Sequence, residues 1–151
     1  MASISLRDQQ AIREHFDANL KNDVEIVLFT ERESPIIIPG REQCETCSDT
    51  QELLEMVSAL SDKVKMTVHE LSAAPDEAAA YGVDRVPAFV LKGAAEGRVR
   101  FFGIPAGYEF SAFIADIVDT SRGETDLSEE TRQYLATLTE DVNIKVFTTP
   151  T

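Results

Sequence analysis

The chain has 151 residues, 43% of them hydrophobic, which suits one well-packed domain with a modest extension. Its 27 acidic residues against 14 basic ones leave a net charge of −13, which argues against nucleic acid and anionic membranes as partners, because both call for a basic surface. No apolar run approaches the ~20 residues of a membrane span, and the opening Met1 to Asp8 lacks the apolar stretch of a secretory signal, so a cytoplasmic location is expected.

In chain order, Ile12, Phe16 and Leu20 mark the apolar face of a helix over 5 to 21. The β-branched run Val24-Glu25-Ile26-Val27-Leu28-Phe29 predicts a strand over 24 to 30. Ser34-Pro35-Ile36-Ile37-Ile38-Pro39-Gly40 can continue neither a helix nor a regular central strand. It is either an apolar lip that docks a partner beside the following cysteines or a segment packed on the sheet edge or the first helix. A helix over 44 to 60 follows, with Leu53, Leu54, Val57 and Leu60 on one face. Next come a strand over 63 to 70, a helix over 75 to 81, and strands over 86 to 92 and 98 to 103, with Gly93 to Gly97 supplying a hairpin.

Phe110, Phe113, Ile114, Ile117 and Val118 form one buried stripe on a helix over 107 to 121. Arg122-Gly123-Glu124-Thr125-Asp126 is the natural boundary after it, with Asp126 and Glu129 suited to cap the next helix. Beyond that boundary Asp23 to Thr30, DVEIVLFT, recurs as Asp141 to Thr148, DVNIKVFT. Each copy follows a helical segment, the second marked by Tyr134, Leu135 and Leu138. The expected organisation is therefore one unit over 1–123 and the helix and strand of an incomplete second unit over 124–151. The unpaired apolar strand at 142 to 148 is expected either to form a homodimer with its counterpart in a second molecule or to fold back on its own sheet.

Both cysteines lie in Cys44-Glu45-Thr46-Cys47, between the first strand and the second helix. Strand, Cys-x-x-Cys, helix is the pattern of a thioredoxin-like redox motif. The nucleophile in disulfide exchange is the thiolate, and the partial positive charge at a helix N-terminus favours that form at Cys44, while Cys47 one turn further in resolves the mixed disulfide. Glu45 opposes the effect by about 1 kcal/mol at intermediate dielectric. The alternatives are zinc ligands or inert buried thiols. A structural zinc site needs four ligands, and His15 and His69 lack finger-like spacing. Charged residues around the pair argue for an exposed site.

Val86-Pro87 opens the apolar run Ala88-Phe89-Val90-Leu91. Proline is excluded from strand interiors, so at a strand start it has a special role or merely ends a loop. A cis bond there would turn the Val86 backbone toward the cysteines, where a substrate peptide could pair with it. Asp84 and Tyr81 could line the same site or serve the turn. His15 reads as a solvated helix residue, and His69 as a strand residue without a catalytic role.

The segments Ser61 to Val64, Tyr81 to Ala88 and Phe102 to Phe110 resemble the protein disulfide oxidoreductases, or glutaredoxin-like proteins, of thermophilic archaea and bacteria, from about residue 5 to the end of the chain. A more distant resemblance is to the N-terminal region of the alkyl hydroperoxide reductase flavoprotein, whose first unit lacks the cysteines. The resemblance implies an α/β thioredoxin-like fold with a four-stranded mixed sheet flanked by helices. It also implies that Cys44 and Cys47 are the catalytic redox pair of a first unit and Pro87 its cis-proline, with Val86 and Pro87 binding substrate.

The expected function is thiol-disulfide oxidoreductase activity on protein disulfides, with a thiol reductase as electron donor and with no cofactor or metal. Glutathione is a poorer substrate because it is anionic and Arg32 and Arg41 are outnumbered by Glu31, Glu33, Glu42, Glu45 and Asp49. The rival reading is a non-catalytic thioredoxin-fold module that docks a redox partner.

Overall fold

A computed structural model describes residues 4–32, 43–95 and 99–147. The insertion at Ile36 to Ile38 and the hairpin tip at Gly97 lie outside these residues. The first helix, α1 (Leu6–Asn19), starts at a Ser5 N-cap whose hydroxyl oxygen accepts from the Asp8 N–H at 3.1 Å. This satisfies one of the orphan donors that every helix start carries. The strand β1 (Val24–Thr30) follows, then α2 (Cys47–Ser58), β2 (Val64–Glu70), α3 (Pro75–Tyr81), β3 (Ala88–Lys92), β4 (Val99–Phe102), α4 (Tyr108–Arg122) and α5 (Glu129–Ala136).

The four strands form one mixed sheet in the order β2-β1-β3-β4. The central β1 pairs parallel to β2, with Val24 opposite Val64, and antiparallel to β3, with Phe29 opposite Ala88. Its alternate residues serve two faces. Val24, Ile26 and Leu28 enter the larger core beneath α1, α2 and α4, with Phe16, Leu54, Val57, Phe113 and Ile117. Val27 and Phe29 enter a smaller core with Ala78 and Val83 around α3. A strand covered on both faces reads as a continuous hydrophobic run, which is why β1 does. Phe89 joins the layers of the larger core, stacked on Phe101 at 5.2 Å and edge-on to Phe113 at 5.1 Å.

Most expected boundaries lie within one to three residues of those observed, and three differences have physical causes. The third strand begins at Ala88, not 86, because Pro87 has no N–H to give to a ladder and the residues before it bend. The last helix is capped by Ser128, whose oxygen accepts from the Thr131 N–H at 3.2 Å, rather than by Asp126 and Glu129. Residues 141–147 form no strand, because no neighbouring strand offers them a ladder. The tail copies the α1–β1 unit in sequence, and its apolar residues stay in solvent. Tyr134 is 67% exposed where its counterpart Phe16 is 1%, and Leu138 is 42% exposed where Leu20 is 5%. Among the described residues, no helix is long and apolar enough to cross a membrane.

Candidate functional site: a disulfide at a helix start

Because β1 and β2 run parallel, α2 must carry the chain back between them, which puts its N-terminus at the C-terminal end of β1. The antiparallel β3 starts at that same end, where Ala88 faces Phe29, and β4 finishes there, where Phe102 faces Ala88. The topology thus gathers the cysteine pair, the Val86-Pro87 segment and the end of β4 at one edge of the sheet.

Cys44 and Cys47 are joined in a disulfide with a Cα–Cα distance of 5.5 Å. The sequence spacing suggested both thiols on the first helical turn. The structure instead begins α2 at Cys47, with Thr46 as N-cap and Cys44 in the turn just before it. Thr46 makes no side-chain capping bond, but its carbonyl accepts from both the Thr50 N–H at 2.9 Å and the Thr50 hydroxyl at 2.6 Å. Thr50 is fully buried. This double anchor ties the turn that follows Cys44 to the first turn of the helix, and sequence reasoning missed it; the i, i+4 spacing of two threonines was the signal available.

The two sulfur-bearing residues are not equivalent. Cys47 is 1% exposed, whereas Cys44 is half-buried. A reacting partner therefore reaches Cys44. Such a pair can alternate between disulfide and dithiol, taking up or giving two electrons.

The Val86–Pro87 peptide bond is cis. Pro87 is buried, and its carbonyl accepts from the Gly103 N–H at 2.9 Å, which pins the segment to the end of β4. Val86 lies half-buried just outside both ladders, which end at Ala88.

The other singled-out residues lie elsewhere or serve structure. Tyr81 tilts against Phe29 at 6.0 Å with the Lys92 ammonium 5.8 Å from its ring, and Asp84 pairs with Arg85 at 3.4 Å. His69 stacks on Phe29 at 5.4 Å, and His15 sits beside the Asn19 amide at 3.2 Å. Of the charges weighed against glutathione, Arg32 pairs with Glu70 at 3.5 Å, while Glu33, Arg41 and Glu42 lie outside the described residues. Among the described residues, no group of three or more His, Cys, Asp or Glu could hold a metal ion.

Two perturbed carboxyls lie away from this edge. Glu25 is held below the usual carboxylate range, first by the Thr67 hydroxyl at 2.7 Å and then by Lys92 at 3.0 Å. Burial, reinforced by Asp119, pushes Asp116 up.

Among solved structures, the chain is similar to a protein disulfide oxidoreductase from Aeropyrum pernix at 27% identity and a TM-score of 0.74, covering 91% of this chain and 56% of that one. It also shares its fold with the alkylhydroperoxide reductase AhpF from Enterococcus faecalis, at 20% identity and a TM-score of 0.73, covering 89% of this chain and 61% of that one. The chain thus spans less than two thirds of either protein. No curated protein sequence matches it. The sequence pattern of the thioredoxin domain matches residues 36–115. That match takes in more than half of the chain and runs from before the disulfide through β4 into α4, so the chain belongs to the thioredoxin domain family.

Proposed function

We propose that the protein is a thiol-disulfide oxidoreductase acting on protein disulfides through Cys44 and Cys47. The observation that carries this reading is the closed disulfide at a helix start, with one accessible and one buried cysteine. In the reduced form, the Cys44 thiolate attacks a substrate disulfide, forms a mixed disulfide and releases one substrate thiolate. The Cys47 thiolate then attacks the Cys44 sulfur, releases the second substrate thiolate and closes the intramolecular disulfide. The substrate gains two electrons, and a thiol reductase supplies two more to reopen the pair. The same steps in reverse oxidise a dithiol.

Val86 and Pro87 are the substrate-binding residues in this reading. The Val86 backbone lies just beyond the β3 ladders, at the sheet edge that holds the cysteines, where an extended peptide can add main-chain hydrogen bonds. Residues 124–151 are read as the opening of a second, similar unit, which the repeat of Asp23 to Thr30 at Asp141 to Thr148 supports.

The test is reduction of a model protein disulfide. The wild type should accelerate it, Cys44→Ser should abolish turnover, and Cys47→Ser should accumulate a mixed disulfide visible on a non-reducing gel. A wild-type rate no greater than that of free dithiothreitol would establish the docking-module reading instead.

A further inference from the structure

The loop leading into Val86 is pinned on both sides. At its start, α3 ends at Gly82, whose φ of +66° suits glycine. The Arg100 guanidinium bonds the carbonyls of Tyr81 and Gly82 at 3.2 and 3.3 Å. A side chain at Gly82 would collide with that guanidinium. At its end, Gly103 holds the Pro87 carbonyl. Between these anchors Arg85 immediately precedes Val86. Its guanidinium carbon lies 4.8 Å from the centroid of the Phe102 ring, and its Nε faces the Asp84 carboxylate at 3.4 Å.

Phe102 closes β4 opposite Ala88 and is 39% exposed. A large aromatic side chain left in solvent at the edge of the sheet that carries the cysteines serves here as the platform for a cation. Arg85 is itself mostly exposed, and among the described residues its two Nη groups have no protein acceptor. The arginine is thus held in place through its plane and one edge, while its remaining donors face solvent, in the fork geometry that suits a carboxylate.

On the proposed exchange reading, we infer that Arg85, positioned by Phe102 and Asp84, selects substrate polypeptides that carry Asp or Glu beside the reactive cysteine. A peptide paired with the Val86 backbone passes next to Arg85, so its residues one or two positions from the cysteine come within reach of the guanidinium. Elsewhere the chain, at −13, repels acidic segments. Arg85, with Arg100 bonded to the same loop, offers an acidic peptide docked beside Val86 a cationic neighbour that the chain as a whole does not. Because the stack already orders the side chain, little of its rotamer freedom is left to lose on binding.

The experiment uses three peptide disulfides that differ only in the residues flanking one cysteine: acidic, neutral or basic. Relative kcat/KM is measured for the wild type and for Arg85→Glu, Arg85→Lys and Phe102→Ala. The same peptides with serine in place of cysteine are titrated by fluorescence anisotropy, which reads docking without exchange. The wild type should favour the acidic over the basic peptide by about fivefold in both measurements, the scale of one exposed ion pair. Arg85→Glu should invert the order, Arg85→Lys should keep it with a smaller ratio, and Phe102→Ala should shrink the ratio. Equal or basic-favouring ratios in the wild type, or an order unmoved by Arg85→Glu, would overturn the inference. Absence of turnover with all three peptides would refute the exchange reading alone, and the anisotropy ratios would still decide the role of Arg85.

Discussion

Ser121 and Asn22, ninety-nine residues apart in sequence, are joined by three hydrogen bonds. The Asn22 N–H donates to the serine Oγ at 2.9 Å, the serine hydroxyl donates to the Asn22 carbonyl at 2.6 Å, and the Asn22 amide Nδ2 donates to the Ser121 carbonyl at 2.8 Å. The Lys21 N–H adds a fourth contact to the same Oγ at 2.9 Å. The fully buried hydroxyl thereby serves the turn between α1 and β1 from the last turn of α4.

Removing that hydroxyl leaves two backbone N–H groups and a carbonyl without their partner. Ser121→Ala is expected to destabilise the fold by about 1 kcal/mol, the net worth of the lost hydrogen bonds, because Lys21 and Asn22 are exposed and water can reach their backbone groups. Urea unfolding checks it. The denaturant slope should stay constant, because the defect is local.

The two perturbed carboxyls should act with opposite signs on stability against pH. Glu25 titrates below its ordinary range in the folded state, so its contribution is present above the ordinary glutamate range and is lost as pH falls through the lowered folded value. Glu25→Gln should therefore lower the thermal midpoint at neutral pH, by a free-energy loss of less than about 1 kcal/mol because the pair is partly exposed, and should converge on wild type in acid. Asp116 titrates above its ordinary range, so its charge costs stability at neutral pH and the cost disappears as pH falls through the raised value. Asp116→Asn should raise the midpoint at neutral pH and lose that advantage in acid. Melting curves taken from neutral to acid pH give both tests.

Burial asymmetry at the cysteines predicts which thiol reacts first. After reduction, limiting iodoacetamide should label Cys44 well before Cys47, because the latter is nearly solvent-inaccessible. Peptide mass spectrometry over a time course distinguishes the two sites. Equal labelling rates would contradict the order of attack and resolution.

The tail separates folding from association. Among the described residues, none beyond Val118 belongs to either core cluster, so a chain ending at Gly123 is expected to keep the thermal midpoint of the full chain within a few degrees. Val142, Ile144, Val146 and Phe147 are exposed in a row at the end of the described chain. The full chain is therefore expected to self-associate as a dimer, and the shorter one to remain a monomer. Multi-angle light scattering on both reports it.

Local chemistry explains which features were legible in the sequence. The run from Val24 to Thr30 is hydrophobic on both faces, so its strand boundaries follow from residue type. The stripe from Phe113 to Val118 repeats at helical spacing, so the buried face of α4 does too. The site could be located because Cys-x-x-Cys after a strand and Pro87 before an apolar run are both short-range signals.

Features that depend on partners far away in the chain were hidden. The Ser121 bracket to Asn22 and the placement of Phe102 beside Arg85 require the sheet order and register, which no local pattern encodes. The copied motif at Val142 is legible as a repeat, but its pairing depends on a distant partner in the same way, since a strand exists only when a neighbour completes its ladder. The late start of α2 follows from the Thr46 backbone, whose φ of −115° and ψ of 4° are not helical, a conformation that residue spacing does not encode.

One consequence of the unequal cysteines concerns traffic. On the proposed exchange reading, with Cys47 only 1% exposed, electrons enter and leave through a single sulfur, that of Cys44. Donor and acceptor proteins then share one berth and exclude each other, so each must depart before the other arrives. Steady-state rates measured at several donor concentrations should fall on parallel double-reciprocal lines, the signature of a shuttle that alternates between two hosts.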